Sequence, residues 1–123
     1  MMSEQQIFTV LAELAANTPG YIGAAVVDLD SGMTLGTYAK DDGFDLSAAS
    51  AYNSEIVKQK MKVMQALRLD STLEDMLITL SDQIHLIRLL SPSTFIYLSA
   101  DRQAANLAIV RTAVTNYTQP LAA

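Results

Sequence analysis

The sequence contains no cysteine and no tryptophan, one histidine and only three prolines. Without cysteine there is no disulfide framework, no thiolate metal site and no cysteine nucleophile. That fits a reducing compartment, and a cytoplasmic location is the expectation. No apolar run approaches the roughly eighteen residues that a membrane-spanning helix needs. Ser3 and Glu4 stand where a secretory signal would carry lysines. Neither membrane insertion nor export is therefore expected. Bases are scarce as well, eight against thirteen acids, for a net charge of −5. Such a balance lacks the basic footprint of a nucleic-acid binder, and no nucleic-acid partner is expected.

Signatures of catalysis are missing too. There is no Gly-rich phosphate loop ending in Lys-Ser or Lys-Thr, and no Gly-x-Ser-x-Gly nucleophile turn. His85 falls inside a predicted strand, with no second ligand or orienting motif nearby, and reads as a sheet-face residue. Asp28-Leu29-Asp30-Ser31-Gly32 has the look of a calcium loop, but Met33 stands where such a loop needs glycine. Ala39 stands where it needs a bidentate glutamate. The segment reads as a turn whose aspartates bond backbone donors. No catalytic, cofactor-binding or metal-ligating residue is assigned, and the chain reads as a non-enzyme.

What is present is apolar surface. Half of the 123 residues are hydrophobic, in a chain of one-domain size that buries about two thirds of its unfolded surface. A single domain over 1–123 is expected. Apolar content this high points to surface covered by a partner.

Ser3 and Gln6 form a capping box, and Met2 and Ile7 a hydrophobic staple, at the start of a helix with Ile7, Val10, Leu11 and Leu14 on one stripe. Asn17-Thr18-Pro19-Gly20 ends it. Tyr21 to Asp28 follows as a strand with small or apolar residues on both faces, the mark of a central strand covered on both sides. A turn leads to a second strand, Met33 to Tyr38, broken at Asp41-Asp42-Gly43. A long helix is predicted from Leu46 to Arg68. Its apolar arc of Leu46, Ala49, Tyr52, Ile56, Val57, Met61, Val63, Met64 and Leu67 is about 180° wide, where a single sheet contact needs nearer 100°. Such a helix touches its own sheet and something else. Lys60 interrupts the arc and is expected to snorkel out of a helix–helix seam. Three strands follow, Leu73 to Leu80, Gln83 to Leu90 and Thr94 to Ser99, the first two joined by Ser81-Asp82. Asp101 is expected to cap a last helix through Tyr117, with Leu107, Val110 and Val114 on one face.

This element order, αββαβββα, together with two segments, resembles the roadblock (dynein light chain) family over nearly the whole chain. The segments are Pro19-Gly20-Tyr21-Ile22-Gly23-Ala24-Ala25-Val26-Val27-Asp28, and Phe95-Ile96-Tyr97-Leu98 followed by Asp101-Arg102-Gln103-Ala104-Ala105-Asn106-Leu107 and Arg111. The resemblance implies an α+β domain: a profilin-like α/β/α sandwich on a five-stranded antiparallel sheet, in spatial order two, one, five, four, three. It also implies a homodimer in which third strands pair and long helices lie side by side. The corresponding interface is Ile56, Lys60, Val63 and Leu67 with Asp75, Met76, Leu77, Ile78 and Thr79. Bacterial members accompany small Ras-like GTPases, so a GTPase partner and a regulatory or scaffold role are implied. The docking platform would be the exposed side of the long helices, with Ser54, Glu55, Lys58 and Lys62. A second expectation is a small-molecule sensor, with Met61, Met64 and Met76 lining a pocket between sheet and long helix.

Overall fold

The computed structural model describes residues 2–41 and 43–122. Asp42, within the break at Asp41-Asp42-Gly43, lies outside them, as do Met1 and Ala123 at the ends of the expected domain. Helix α1 (Glu4–Asn17) begins as its capping box dictates. The Gln6 amide donates to Ser3 Oγ at 3.1 Å, and the Ser3 amide donates to Gln6 Oε1 at 2.9 Å. Met2 packs with Ile7 against one core, completing the staple.

The remaining elements are β1 (Tyr21–Asp28), β2 (Thr34–Ala39), α2 (Leu46–Ala66), β3 (Asp75–Thr79), β4 (Gln83–Ser91), β5 (Thr94–Asp101) and α3 (Leu107–Tyr117), closed by a short 3-10 turn at Gln119–Leu121. The five strands form one antiparallel sheet in the order 2-1-5-4-3. Alternate side chains of β1 and β5 enter two separate cores. Ala24, Val26, Ile96 and Leu98 meet α1 and α3 on one face, while Ala25, Val27, Phe95 and Tyr97 meet α2 on the other. The chain is an α+β sandwich of the expected topology.

Two local readings are corrected. Asp101 does not cap α3: it ends β5, and a short turn intervenes before Asn106, whose Oδ1 accepts from the Ile109 amide at 2.9 Å. Asp101 is instead a turn-former, with its Oδ1 accepting from the Gln103 amide and its carbonyl from Ala104 and Ala105. The shift moves Leu107 onto the exposed side, and the buried face of α3 is Val110, Ala113 and Val114. Long helix α2 stops at Ala66, because Arg68 adopts a left-handed φ of 55° and turns the chain away.

Helix α2 also turns a different face to the sheet from the one its hydrophobicity indicates. Its buried residues are Leu46, Ser50, Asn53, Ser54 and Val57, three of them polar. Each polar side chain is satisfied within the helix: Ser50 Oγ donates to the Leu46 carbonyl, Asn53 Nδ2 to Ala49, and Ser54 Oγ to Ser50, all within 2.8 Å. Bonded back onto the helix in this way, these groups are buried without the usual desolvation penalty. Being small, they let α2 sit close over β1 and β2, with Leu46 against Gly23 and Ser54 against Gly32.

Candidate functional site

With its sheet contact made by small polar residues, α2 leaves large apolar ones in the open. Tyr52 is 75% exposed and Leu67 64%, with Ile56 at 43% and Val63 at 38% in the same stripe. At 100° per residue, Ile56, Lys60, Val63 and Leu67 fall on one flank, roughly a quarter-turn from the sheet-facing direction. Lys60 is exposed in the middle of this flank. The wide arc of the sequence is thus two surfaces: Leu46, Ala49, Val57 and Met61 pack into the inner one, and Met64 is half-buried beside them.

Strand β3 supplies the second half of the site. It is hydrogen-bonded to β4 alone, so one of its edges is open. The direction of its backbone groups follows from two bonds: the Leu80 amide donates to the Gln83 carbonyl at 2.9 Å, and the Leu89 amide to the Glu74 carbonyl at 3.0 Å. Because direction alternates along a strand, Met76 and Ile78 also point inward, and Asp75, Leu77 and Thr79 present their N–H and C=O groups outward. Side chains alternate likewise. Met76 packs into the core beneath α2, while Leu77 stands beside Leu86 on the α1/α3 face. The other open edge, β2, is interrupted by a bulge opposite Val26 and Val27 that leaves Leu35 unpaired and exposed. A bulge blunts an edge against further pairing; β3 has none.

Asp75 is one of the strand residues expected at an interface. It is already engaged within the subunit: Arg111 Nε of α3 donates to Asp75 Oδ2 at 2.9 Å, and Arg88 lies 3.5 Å from the same oxygen. The carboxylate is mostly covered and ties the start of the edge strand to the last helix. Its backbone N–H and C=O groups point out at the open edge.

Among the docking residues, Ser54 is corrected: at 1% exposure, with its hydroxyl bonded to Ser50, it faces the β1–β2 turn and presents nothing outward. Glu55 and Lys62 are exposed as expected. Lys58 is half tethered, its Nζ donating to the Asp30 carbonyl at 3.0 Å and lying 3.5 Å from Glu55. Tyr52, which sequence reasoning assigned only to the broad apolar arc, is the most exposed large apolar side chain of α2. A helical wheel centred on the small residues instead of the apolar ones would have found it.

A polar network lies on the α2 face of β4 and β5. His85 Nε2 is 2.7 Å from Gln83 Oε1, an atom that only accepts, so Nε2 carries the proton. Ser99 Oγ donates to the same oxygen at 3.1 Å, and the Tyr97 hydroxyl, 3.3 Å from Nδ1, donates to the ring. The neutral tautomer satisfies every partner. Burial holds the His85 pKa below the ordinary imidazole value, opposed by the Asp82 carboxylate, while burial pushes the Tyr97 phenol up to about 12. The unfolded chain therefore takes up a proton before the folded one does. The stability this histidine contributes is complete above about pH 6.5 and is lost as pH falls below that value. His85→Gln is expected to flatten the decline in urea-unfolding stability between about pH 7 and about pH 5. An identical slope in both proteins would exclude His85 as its source.

A cleft of about 540 Å³ opens beneath the C-terminal turn of α2, lined by Met61, Met64, Leu69, Leu73, Leu89 and Pro92 among others. Two of the three methionines expected around a pocket are there. Met76 does not line it. Among the described residues, no group of three or more His, Asp or Glu side chains is placed to hold a metal.

No protein-family model matches the chain, and no curated protein matches it in sequence. Solved structures do match in shape. MglB of Myxococcus xanthus superposes with a TM-score of 0.85 at 11% identity, over 98% of this chain and 94% of that one. The gliding protein MglB of Thermus thermophilus gives 0.84 at 14%, over 99% and 91%. A roadblock/LC7 domain from Streptomyces avermitilis gives 0.80 at 12%, over 92% of each. At such identities the likeness is one of fold, and it agrees with the strand order and helix placement described above: the chain has the roadblock/LC7 fold.

Proposed function

We propose that the chain is a non-catalytic, homodimeric regulator or scaffold that binds a small Ras-like GTPase in the cytoplasm. The observation that carries this reading is the junction of two unsatisfied surfaces, the apolar flank of α2 and the unbulged open edge of β3. An edge strand with Met76, Leu77 and Ile78 in it is an aggregation hazard unless something covers it. A second subunit pairing through β3 covers that edge and brings the Ile56, Lys60, Val63 and Leu67 flank toward its counterpart. The roadblock fold, and the sequence segments that resemble that family, support a GTPase as the partner. The platform for it is the outward side of the paired α2 helices, with Tyr52, Glu55, Lys58 and Lys62. No helix among the described residues is long and apolar enough to cross a membrane.

Of the two lysines, Lys62 gives the cleaner test, because Lys58 also holds the β1–β2 turn. Lys62→Glu is expected to weaken association with a Ras-like GTPase by up to roughly fivefold at low salt, the scale of an exposed charge pair. Its effect should vanish at high salt, and the light-scattering mass should stay that of a dimer. Titration of the wild-type protein with the GTPase in its GDP-bound and GTP-bound states is the prior measurement. Absence of binding in both states would overturn the GTPase reading.

The cleft beneath α2 favours a second reading, a sensor of small apolar molecules held against methionines, which adapt readily to varied shapes. A ligand of the native state raises the melting temperature with its concentration. A thermal-shift screen in which Met64→Lys abolishes each hit tests it, and a screen without hits sinks it.

A further inference from the structure

We propose that the two subunits pair with Leu77 opposite Leu77 on the dyad, so that Met76 of each chain lies against Ile78 of the other. This register rests on the self-association reading above and specifies it to the residue.

The outward backbone groups of β3 belong to Asp75, Leu77 and Thr79. A dyad passing through a strand pair sets some residue opposite itself, and its neighbours then face each other in sums that are fixed. Centred on Leu77, all three outward residues find outward partners: Leu77 with Leu77, and Asp75 with Thr79 on both sides. Every unpaired group of the five-residue strand is used, about six backbone hydrogen bonds in all. Centred on Met76 or Ile78, one outward residue of each strand falls opposite a position beyond the strand's end and that pairing is lost.

Side chains choose the same register. On the α1/α3 face, Leu77 meets Leu77 across the axis. The Thr79 hydroxyl meets Asp75, a carboxylate held in place by Arg111 at 2.9 Å. On the α2 face, Met76 meets Ile78, both half-buried within the subunit and, at Ile78, adjoining His85 of β4. A dyad at Met76 would instead set Leu77 against the Asp75 carboxylate. A dyad at Ile78 would set it against Thr79. Only the central register puts apolar with apolar and polar with polar, which is how register is specified in a sheet with packed faces.

The absence of cysteine makes the test direct. Leu77 pairs by hydrogen bonds, and the positions between are the non-hydrogen-bonded pairs, whose side chains lie closer together, with Cα atoms about 4.5 Å apart, so a disulfide fits there. The double variant Met76→Cys/Ile78→Cys is expected to oxidise to a covalent dimer on a non-reducing gel, while each single variant stays uncross-linked. A covalent dimer from Met76→Cys alone, or from Ile78→Cys alone, would place the dyad elsewhere and overturn the register. So would failure of the double variant to cross-link while light scattering still shows a dimer. A wild-type protein that is monomeric at high concentration would instead remove the self-association reading itself.

A second pair of variants covers loss of folding in the double variant. Leu77→Lys and Leu77→Glu, at an exposed side chain, are each expected to be folded monomers from like charges meeting on the axis. Their equimolar mixture should recover the dimer mass. Dimers from Leu77→Lys alone overturn the register, because a lysine facing Asp75 would be tolerated.

Discussion

Ile78→Pro is expected to unfold the sheet edge, and Leu77→Pro to leave the chain folded while separating the proposed dimer. The residues are neighbours, and the contrast comes entirely from strand alternation. The Ile78 N–H points into the sheet toward His85, as the bonds at Leu80 and Glu74 establish. Proline there removes that donor, strands the buried carbonyl opposite at a cost of about 1–3 kcal/mol, and drives its ring toward β4. The Leu77 N–H points away from the sheet, where proline costs the subunit little. Across the dyad it removes two donors, each worth about 1 kcal/mol net, and sets two rings face to face. Together these weaken self-association by about a hundredfold or more. Circular dichroism reports folding and light scattering reports mass. Two folded dimers, or two unfolded proteins, would mean that the edge is not the interface.

Sequence alone established that these two positions differ but not which way each faces. Alternation makes adjacent donors oppose, yet the phase depends on where the β3–β4 hairpin closes, and Ser81-Asp82 lacks the glycine that would mark it. Elsewhere the legible parts were those where one local rule acts without competition. The α1 capping box, the staple and the two-faced β1 strand all hold. Reading failed where polarity and burial separate. Ser50, Asn53 and Ser54 are inner residues of α2 because each bonds its own helix, something no hydrophobic periodicity reveals. The same inversion made Ser54 look like a docking residue and hid Tyr52. At α3 the competition was between two good caps: Asp101 and Asn106 both have the right side chain, and β5 claims Asp101 first. Of the candidate site, the strand and the helix were legible as elements, and their open faces only as an excess of apolar residues.

The segments that resemble the roadblock family acquire physical roles in one corner of the molecule. Arg102 reaches back to the β3–β4 hairpin, its guanidinium donating to the Leu80 carbonyl at 3.1 Å and its amide to the Asp82 carbonyl at 3.1 Å. Asp101 folds the turn that carries it. Beside that turn lies Gly20, its carbonyl accepting from the Asp101 amide at 2.7 Å. Thus the start of β1, the end of β5 and the hairpin that begins β4 are fastened together by Gly20, Asp101 and Arg102, at the same end of the sheet as the Leu80 end of β3. These residues hold the edge strand in place without lying on its open side.

Gly20→Ala is accordingly expected to be among the most damaging small substitutions in the chain. Gly20 has a φ of +72°, a left-handed conformation that costs an L-residue about 1–2 kcal/mol. A Cβ there would also lie 2.9 Å from the Asp101 carbonyl oxygen and 3.0 Å from Ala104 Cβ. The first contact is with backbone, in a turn whose oxygen is already bonded to two amides, so it cannot give way cheaply. Strain and overpacking together are expected to cost at least about 2 kcal/mol, lowering the melting temperature by roughly 10 °C. The effect should spread beyond stability, because shifting Asp101 also shifts Arg102 and loosens the Leu80 end of β3. Self-association should weaken under conditions where the variant is still folded, whereas Gly43→Ala, at an exposed loop glycine, should change neither property. Calorimetry and light scattering on the two variants decide. Equal melting temperatures would show that the turn relaxes around a methyl group, and that the corner does not clamp the edge strand.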